Sequence, residues 1–287
     1  MRYIKPDSFE AAAQLLHEEQ GIARILAGGT DVLVQLKAEV VEPDLMVDLK
    51  HLDGMRDITA EDGGFRIGAA VSGAMLGEHA GVKALWPGVV EGMELIGSTQ
   101  VQGRATLAGN LCNGSPAGDS VPAMITAGAV ARVQGPDGAR DVAVADVPTG
   151  PGQTSLAKGE FISSIYLPAR PDRSSDAYLR FTPRTEMDIA VSAAAVSLTL
   201  DDAGLCVAAR VAVGAVAPTA RLVPDAGAAL VGTALDEDAI AGLVAAVRAA
   251  CCPIDDKRGT IDFRTTTAGV LAKRAAHIAY ARAGGRS

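Results

Sequence analysis

Two glycine-rich tracts constrain this chain more than any other feature. The first is "LAGGTDVLVQLK", Leu26 to Lys37, and the second is "TLAGNLCNGSPAGDSVPA", Thr106 to Ala123. In the first, Gly28-Gly29-Thr30-Asp31 joins a predicted strand, "IARIL", to a predicted helix, "DVLVQLKAEV". A further strand, "DLMVDL" over 44–49, follows. A strand–helix–strand run of this kind implies parallel pairing. Glycines at the joint permit positive φ and let a ligand touch the backbone. The first N–H groups of a helix lack partners and carry partial positive charge. Together these make a place for phosphate without any lysine. The tract is neither a Walker A loop nor GxGxxG, so a plain turn stands beside the phosphate reading.

The second tract adds a matching set of donors and holds no lysine, arginine or histidine. Thr106, Gly109, Asn110, Asn113, Gly114 and Ser115 supply hydroxyl, amide and accessible backbone groups. Two such cradles in one domain can take both phosphates of a dinucleotide. A bare carboxylate beside a pyrophosphate is repelled, so Asp31 and Asp119 are expected to cap helices or to accept from ribose hydroxyls.

The remaining pattern is α+β. Residues 8–19 predict an amphipathic helix capped by Ser8, with Phe9, Ala12, Leu15 and Leu16 on one face. "FRIGAAV" (65–71) predicts a strand, "SGAMLGEH" a helix start, and 81–96 a helical stretch; "PAMITAGA" predicts a short helix. "VARVQGPDGARDVAVADV" predicts two strands joined at Pro136-Asp137-Gly138. "EFISSIYLP" (160–168) is another strand, and "ARPDRSSD" (169–176) is the best linker by composition. Beyond it, "AYLRFTP", "VSAAAVSLTL" and "LCVAARVAVGAV" read as strands. "DAGAALVGT", "DEDAIAGLVAAVRAACC" and "FRTTTAGVLAKRAAHIAYARA" read as helices, the last with Ala268, Leu271, Ala275 and Ile278 on one stripe. Strands followed by helices make a small second α+β domain.

Composition excludes several classes. A net charge of −8 without a basic run argues against a nucleic-acid surface. Cys112, Cys206, Cys251 and Cys252 form no CxxC pair, and no histidine lies at a ligand spacing, which argues against zinc or iron–sulfur ligation in this chain. Idle thiols in a reducing compartment are expected. The N-terminus has no signal-like apolar core, and no apolar run is long enough to span a membrane.

The two glycine tracts, in this order, resemble the paired FAD signatures of the FAD-binding (medium) subunit of molybdenum hydroxylases, the xanthine dehydrogenase and carbon monoxide dehydrogenase family. "YLRFTPRTEMDIAVSAAAV" is similar to the start of that family's C-terminal domain, and "FRTTTAGVLAKRA" to its final helix. The resemblance implies an α+β fold. Its FAD-binding domain, of the vanillyl-alcohol-oxidase (PCMH) type, covers 1–170 in two subdomains, about 1–55 and 56–170. A small flavoprotein C-terminal domain covers 175–285. It implies that Ala27, Gly28, Gly29, Thr30 and Asp31, on through Val32 and Val34, embrace the FAD pyrophosphate. Thr106, Ala108, Gly109 and Asn110 form the second clamp, with Asn113 and Asp119 reaching the phosphate–ribose side. Ile96 falls where the family places a residue near the isoalloxazine, and Ile162 matches an apolar contact. Arg180 falls where the family often carries lysine near the flavin; read from its residue type alone, a surface ion pair is the alternative. For Asp119, helix capping alone remains the alternative.

The function implied is that of an electron-transfer flavoprotein subunit with no catalytic residue of its own and no metal site. Electrons would come from 2Fe–2S clusters on a small partner subunit. Those clusters are fed by a molybdenum cofactor on a large molybdopterin-binding subunit, and the electrons pass through FAD to an external acceptor. Family resemblance further implies a cytoplasmic dimer of heterotrimers. A stand-alone flavin oxidase and a non-enzymatic module for a phosphorylated ligand are the rival readings.

Overall fold

The computed structural model describes residues 1–284; Gly285, the last residue of the expected C-terminal domain, lies outside the described residues. The N-terminal part begins with β1 (Arg2–Ile4), α1 (Phe9–Glu18), β2 (Ala23–Leu26), α2 (Val32–Lys37) and β3 (Leu45–Asp48). The three strands form a parallel sheet in the order β1-β3-β2. Ser8 caps α1 by accepting from the Ala11 N–H at 3.1 Å, and Ala12, Ala13 and Leu16 face the core, as their spacing requires.

A second sheet follows. Strands β4 (Ile58–Glu61) and β5 (Gly64–Gly68) precede a helical passage of α3 (Gly73–Glu78), α4 (Ala80–Leu85), α5 (Pro87–Glu94), α6 (Thr99–Gln102), α7 (Leu107–Cys112) and α8 (Ser120–Ala127). Then come β6 (Val130–Gly135), β7 (Gly138–Ala143), the short hairpin of β8 (Pro148–Gly150) and β9 (Gln153–Thr154), and β10 (Phe161–Leu167). Five of these strands pair antiparallel in the order β4-β5-β10-β6-β7. The turn expected at Pro136-Asp137-Gly138 joins β6 to β7, with Gly138 at φ +112°.

The C-terminal part is a four-stranded antiparallel sheet, β11 (Ser174–Phe181), β12 (Ser192–Leu200), β13 (Cys206–Gly214) and β14 (Arg221–Leu222), backed by α9 (Pro224–Ala228), α10 (Glu237–Ala250) and α11 (Ile261–Arg282). Alternation along "SAAAVSL" explains how this sheet is used. Ala194, Val196 and Leu198 pack with Ala268, Leu271, Ala272 and Ala275 of α11. Ala193 and Ala195 point the other way and join the core of the N-terminal part, together with Tyr178 and Ala212. Methyl-sized side chains on that face let α8 come close. Every residue of α8 is buried, and its sequence "SVPAMITA" carries no charge and only two hydroxyls, Ser120 and Thr126, both bonded within the chain.

Several expectations change. The helix expected over 31–40 stops at Lys37, and none of its residues is buried; Leu33 is 44% and Val34 63% exposed. Its apolar stripe faces the surface and a cleft, not the core. The strand expected to run to Val71 ends at Gly68, because the Ala70 N–H turns away to the carbonyl of Met55. Part of the glycine-rich second tract is helical (α7), held by the Thr106 side chain. The polar stretch 169–176 is no free linker. β11 begins at Ser174, and Arg170 and Asp176 form a buried ion pair at 3.0 Å. The Arg170 guanidinium also lies 4.1 Å from the Trp86 ring centroid and donates to the carbonyl of Leu85. Arg170 and Asp176 there reflect pairing, while Pro171, Asp172 and Arg173 between them are exposed.

Candidate functional site

The two glycine tracts converge on one cleft of about 740 Å³ between the parallel sheet and the five-stranded sheet. That volume lies in the range of cofactor sites. The first tract lines it with Ala27, Gly28, Gly29, Thr30, Asp31 and Val32, the second with Thr106, Ala108, Gly109, Asn110, Cys112 and Asn113. Ile96 and Ile162 stand in the wall beside Leu49, Met55 and Ala69, and Leu16, Ile25, Val41 and Leu156 add further apolar surface.

Close backbone packing forms the first tract. A Cβ on Gly28 would stand 2.1 Å from the carbonyl oxygen of Arg104, so only glycine lets the two tracts meet. Gly29 has φ +85°, the left-handed conformation that turns the chain out of β2. The Arg104 side chain secures the same loop from outside, its Nε donating to the Gly28 carbonyl at 3.3 Å. In the second tract the Thr106 hydroxyl caps α7 by accepting from the Gly109 N–H at 2.9 Å.

These conformations leave donors free. Among the described residues, the N–H groups of Gly28, Gly29, Thr30 and Asp31 find no acceptor within the chain, nor do those of Thr106, Leu107 and Ala108. Runs of unpaired backbone donors in two tracts that line one cleft, with apolar walls adjoining, fit a ligand that carries a pyrophosphate between flat apolar groups. A dinucleotide such as FAD has that chemistry.

The acidic residues behave differently from the capping expectation. Neither Asp31 nor Asp119 makes a side-chain cap. The Asp31 carboxylate accepts from Asn113 Nδ2 at 3.2 Å across the tracts, and burial raises its pKa. A carboxylate already paired with an amide opposes a neighbouring phosphate less than a free one would.

Asp119 and Arg180 lie outside the cleft walls and meet each other. Arg180 Nη1 donates to Asp119 Oδ2 at 2.5 Å, and the Tyr178 hydroxyl donates to Asp119 Oδ1 at 2.8 Å. Both members of the ion pair are buried, so Arg180 is not a surface ion pair. Burial pushes Asp119 up to about 6, with Arg180 and Tyr178 pulling the other way. Val34 also lies outside the cleft, on the exposed side of α2. The sequence reading missed Tyr178. Its signal was the i, i+2 spacing to Arg180, which puts both side chains on one face of β11. Cys112 opens on the cleft, but desolvation by the surrounding protein pushes its thiol up to about 12 and keeps it protonated. Among the described residues no cluster of His, Cys, Asp and Glu suited to a metal ion occurs, and no helix is long and apolar enough to cross a membrane.

Comparison with known proteins agrees with this geometry. Residues 1–170 match the family model described as FAD binding domain in molybdopterin dehydrogenase, and residues 177–279 match that of the CO dehydrogenase flavoprotein C-terminal domain. The chain is 36% identical over 281 residues to the carbon monoxide dehydrogenase medium chain of Afipia carboxidovorans, covering 98% of this chain and 97% of that protein. It is 30% identical over 266 residues to the xanthine dehydrogenase FAD-binding subunit of Escherichia coli O157:H7, covering 92% and 91%. Its structure superposes on a chain of the cyanide-inactivated Cu,Mo-CO dehydrogenase with a TM-score of 0.93, at 35% identity and 98% coverage of both chains.

Proposed function

Since the chain belongs to the FAD-binding medium-subunit family of the carbon monoxide and xanthine dehydrogenases, we propose that it takes electrons from 2Fe–2S clusters on a small partner subunit and delivers them to an external acceptor. The observation that carries the reading is the cleft lined by both glycine tracts, whose N–H groups at Gly28 to Asp31 and at Thr106 to Ala108 find no acceptor among the described residues. Bound FAD supplies the redox chemistry. The protein's part is to bind and orient it.

In this reading the N–H groups of Gly28 to Asp31 and of Thr106 to Ala108 hold the pyrophosphate. The hydroxyl of Thr30 and the amides of Asn110 and Asn113 are further polar contacts. Ala27, Val32, Ile96, Ile162 and the Gly109 backbone form its close walls. Ile96 packs but cannot stack, so it excludes water from the cleft without an aromatic contact. Asp119 and Arg180 act from behind the wall, fixing the start of α8. The division into a flavin domain ending near residue 170 and a C-terminal domain beginning near 175 belongs to the same reading, with a buried junction at Arg170 and Asp176.

The large partner would carry the molybdenum cofactor, in keeping with the molybdenum in the name of the matched Cu,Mo-CO dehydrogenase, and a cytoplasmic dimer of heterotrimers is the assembly we propose. The visible spectrum tests the proposal. The purified chain should show oxidised flavin bands and release FAD on denaturation. Co-purified with its partners it should add iron–sulfur absorbance and molybdenum. A chain that holds FAD but brings neither partner metal would instead be a stand-alone oxidase. A colourless chain unable to take up FAD would leave only a module for another phosphorylated ligand.

A further inference from the structure

Asn110 lines the cleft at half-exposure, and the orientation of its amide is set from behind. Its Oδ1 accepts from the Ser120 backbone N–H at 3.2 Å and from the Ser120 hydroxyl at 2.8 Å. A backbone N–H can only donate, so the atom that meets it is the oxygen. The amide is thereby ordered: both donors of Ser120 converge on Oδ1. Among the described residues nothing accepts from Nδ2. Gly118 supports the arrangement, since a Cβ there would stand 3.2 Å from Oδ1.

Ser120 is itself enclosed. It is completely buried, at the first turn of the wholly buried α8. The residue before it, Asp119, is tied to Tyr178 and Arg180 on β11. A chain of contacts therefore runs from the C-terminal sheet, through the start of α8, to an amide in the cleft wall.

We propose that Ser120 is a positioning residue for cofactor binding: it turns the Asn110 amide so that Nδ2 serves only as a donor to an anionic or carbonyl oxygen of the bound FAD. This rests on the FAD reading above. It also explains why an asparagine, and not an aspartate of the same shape, stands at 110. An aspartate would satisfy Ser120 equally well but would present an oxygen to the ligand.

Two comparisons test it, both read as FAD dissociation constants of the full chain from flavin fluorescence, with thermal unfolding of the FAD-free protein as the control for folding. In the first, Asn110→Ala should weaken FAD binding about tenfold and Asn110→Asp about tenfold further, as loss of a hydrogen bond to a charged group and then its replacement by repulsion would do. The unfolding of Asn110→Asp should stay near that of the unaltered chain, because Ser120 keeps its acceptor. In the second, Ser120→Ala should weaken binding about fivefold when Asn110 is present and leave it unchanged in the Asn110→Ala background, since the serine acts only through that amide. Asn110→Asp binding FAD as tightly as Asn110→Ala would overturn the donor assignment. An equal effect of Ser120→Ala in both backgrounds would overturn the positioning role. Failure of the unaltered chain to take up FAD would remove the cofactor reading itself, a separate result from either.

Discussion

Gly28 and Gly109 look alike in the sequence, yet the structure separates them. A side chain at Gly28 collides with the backbone of Arg104, which cannot withdraw without parting the two tracts. A Cβ at Gly109 meets only the Thr106 hydroxyl, at 2.9 Å, and threatens one cap. Gly28→Val should therefore cost FAD affinity about a hundredfold or more, while Gly109→Val should cost the chain about 1 kcal/mol of stability and bind FAD more weakly, not abolish binding. Titration of each FAD-free variant with FAD, beside a denaturant melt, separates the two. The sequence made both glycines legible because turns need them. It could not show Arg104 O, which lies far along the chain, and so could not rank them. Asp119 illustrates the same limit. Its charge and its place before a helix pointed to a cap or a ribose; only the fold brings Tyr178 and Arg180 to it. Removing that carboxylate leaves Arg180 buried and unpaired, so Asp119→Ala should destabilise the FAD-free chain by about 3–5 kcal/mol in chemical denaturation. Loss of FAD affinity with unchanged stability would return Asp119 to the ligand.

Among the elements, α1, β2, β3, β6, β7 and α10 follow from period, cap and turn signals that act over a few residues. The elements that escaped the sequence are those whose form depends on distant partners. α7 hides in a tract rich in glycine and asparagine because the Thr106 cap and packing against α8 offset poor propensity. α2 reads as an amphipathic helix, but its apolar residues have no core to face. The supposed linker was misread for the opposite reason: Arg170, Asp172, Arg173 and Asp176 suggest solvent, whereas Arg170 is stacked on Trp86 and paired with Asp176. Arg170→Ala should lower stability by about 3 kcal/mol or more, because it leaves the Asp176 carboxylate buried alone. Arg170→Lys should recover only part of the loss, since an ammonium cannot both stack on the ring and reach Leu85, Ser197 and Asp176. Calorimetry of the three chains decides this.

For the whole molecule, the two family segments are packed as one object, since Tyr178, Ala193, Ala195 and Ala212 belong to the same core as the helices and strands before residue 170. Two buried carboxyls, Asp119 and Asp176, lie along that junction, each pushed up to about 6 by burial. Their unfolded values are ordinary, so the folded state binds more protons between that range and about 6. Each contribution to stability is full below the unfolded value and is lost as pH rises through about 6. On acidification from pH 7 to about 5 the unaltered chain should thus fare better than Asp176→Asn, which lacks one such proton site. Unfolding midpoints across that interval give the answer. The unpaired donors of the cleft carry a last consequence, one of supply. A ligand that satisfies them binds the folded chain alone, and at about a hundred times its dissociation constant it would add about 2.7 kcal/mol to stability. How much of this protein endures in a cell then follows the vitamin from which its cofactor is made: in flavin-poor conditions that stabilisation is absent, and the unfolded fraction open to degradation rises about a hundredfold.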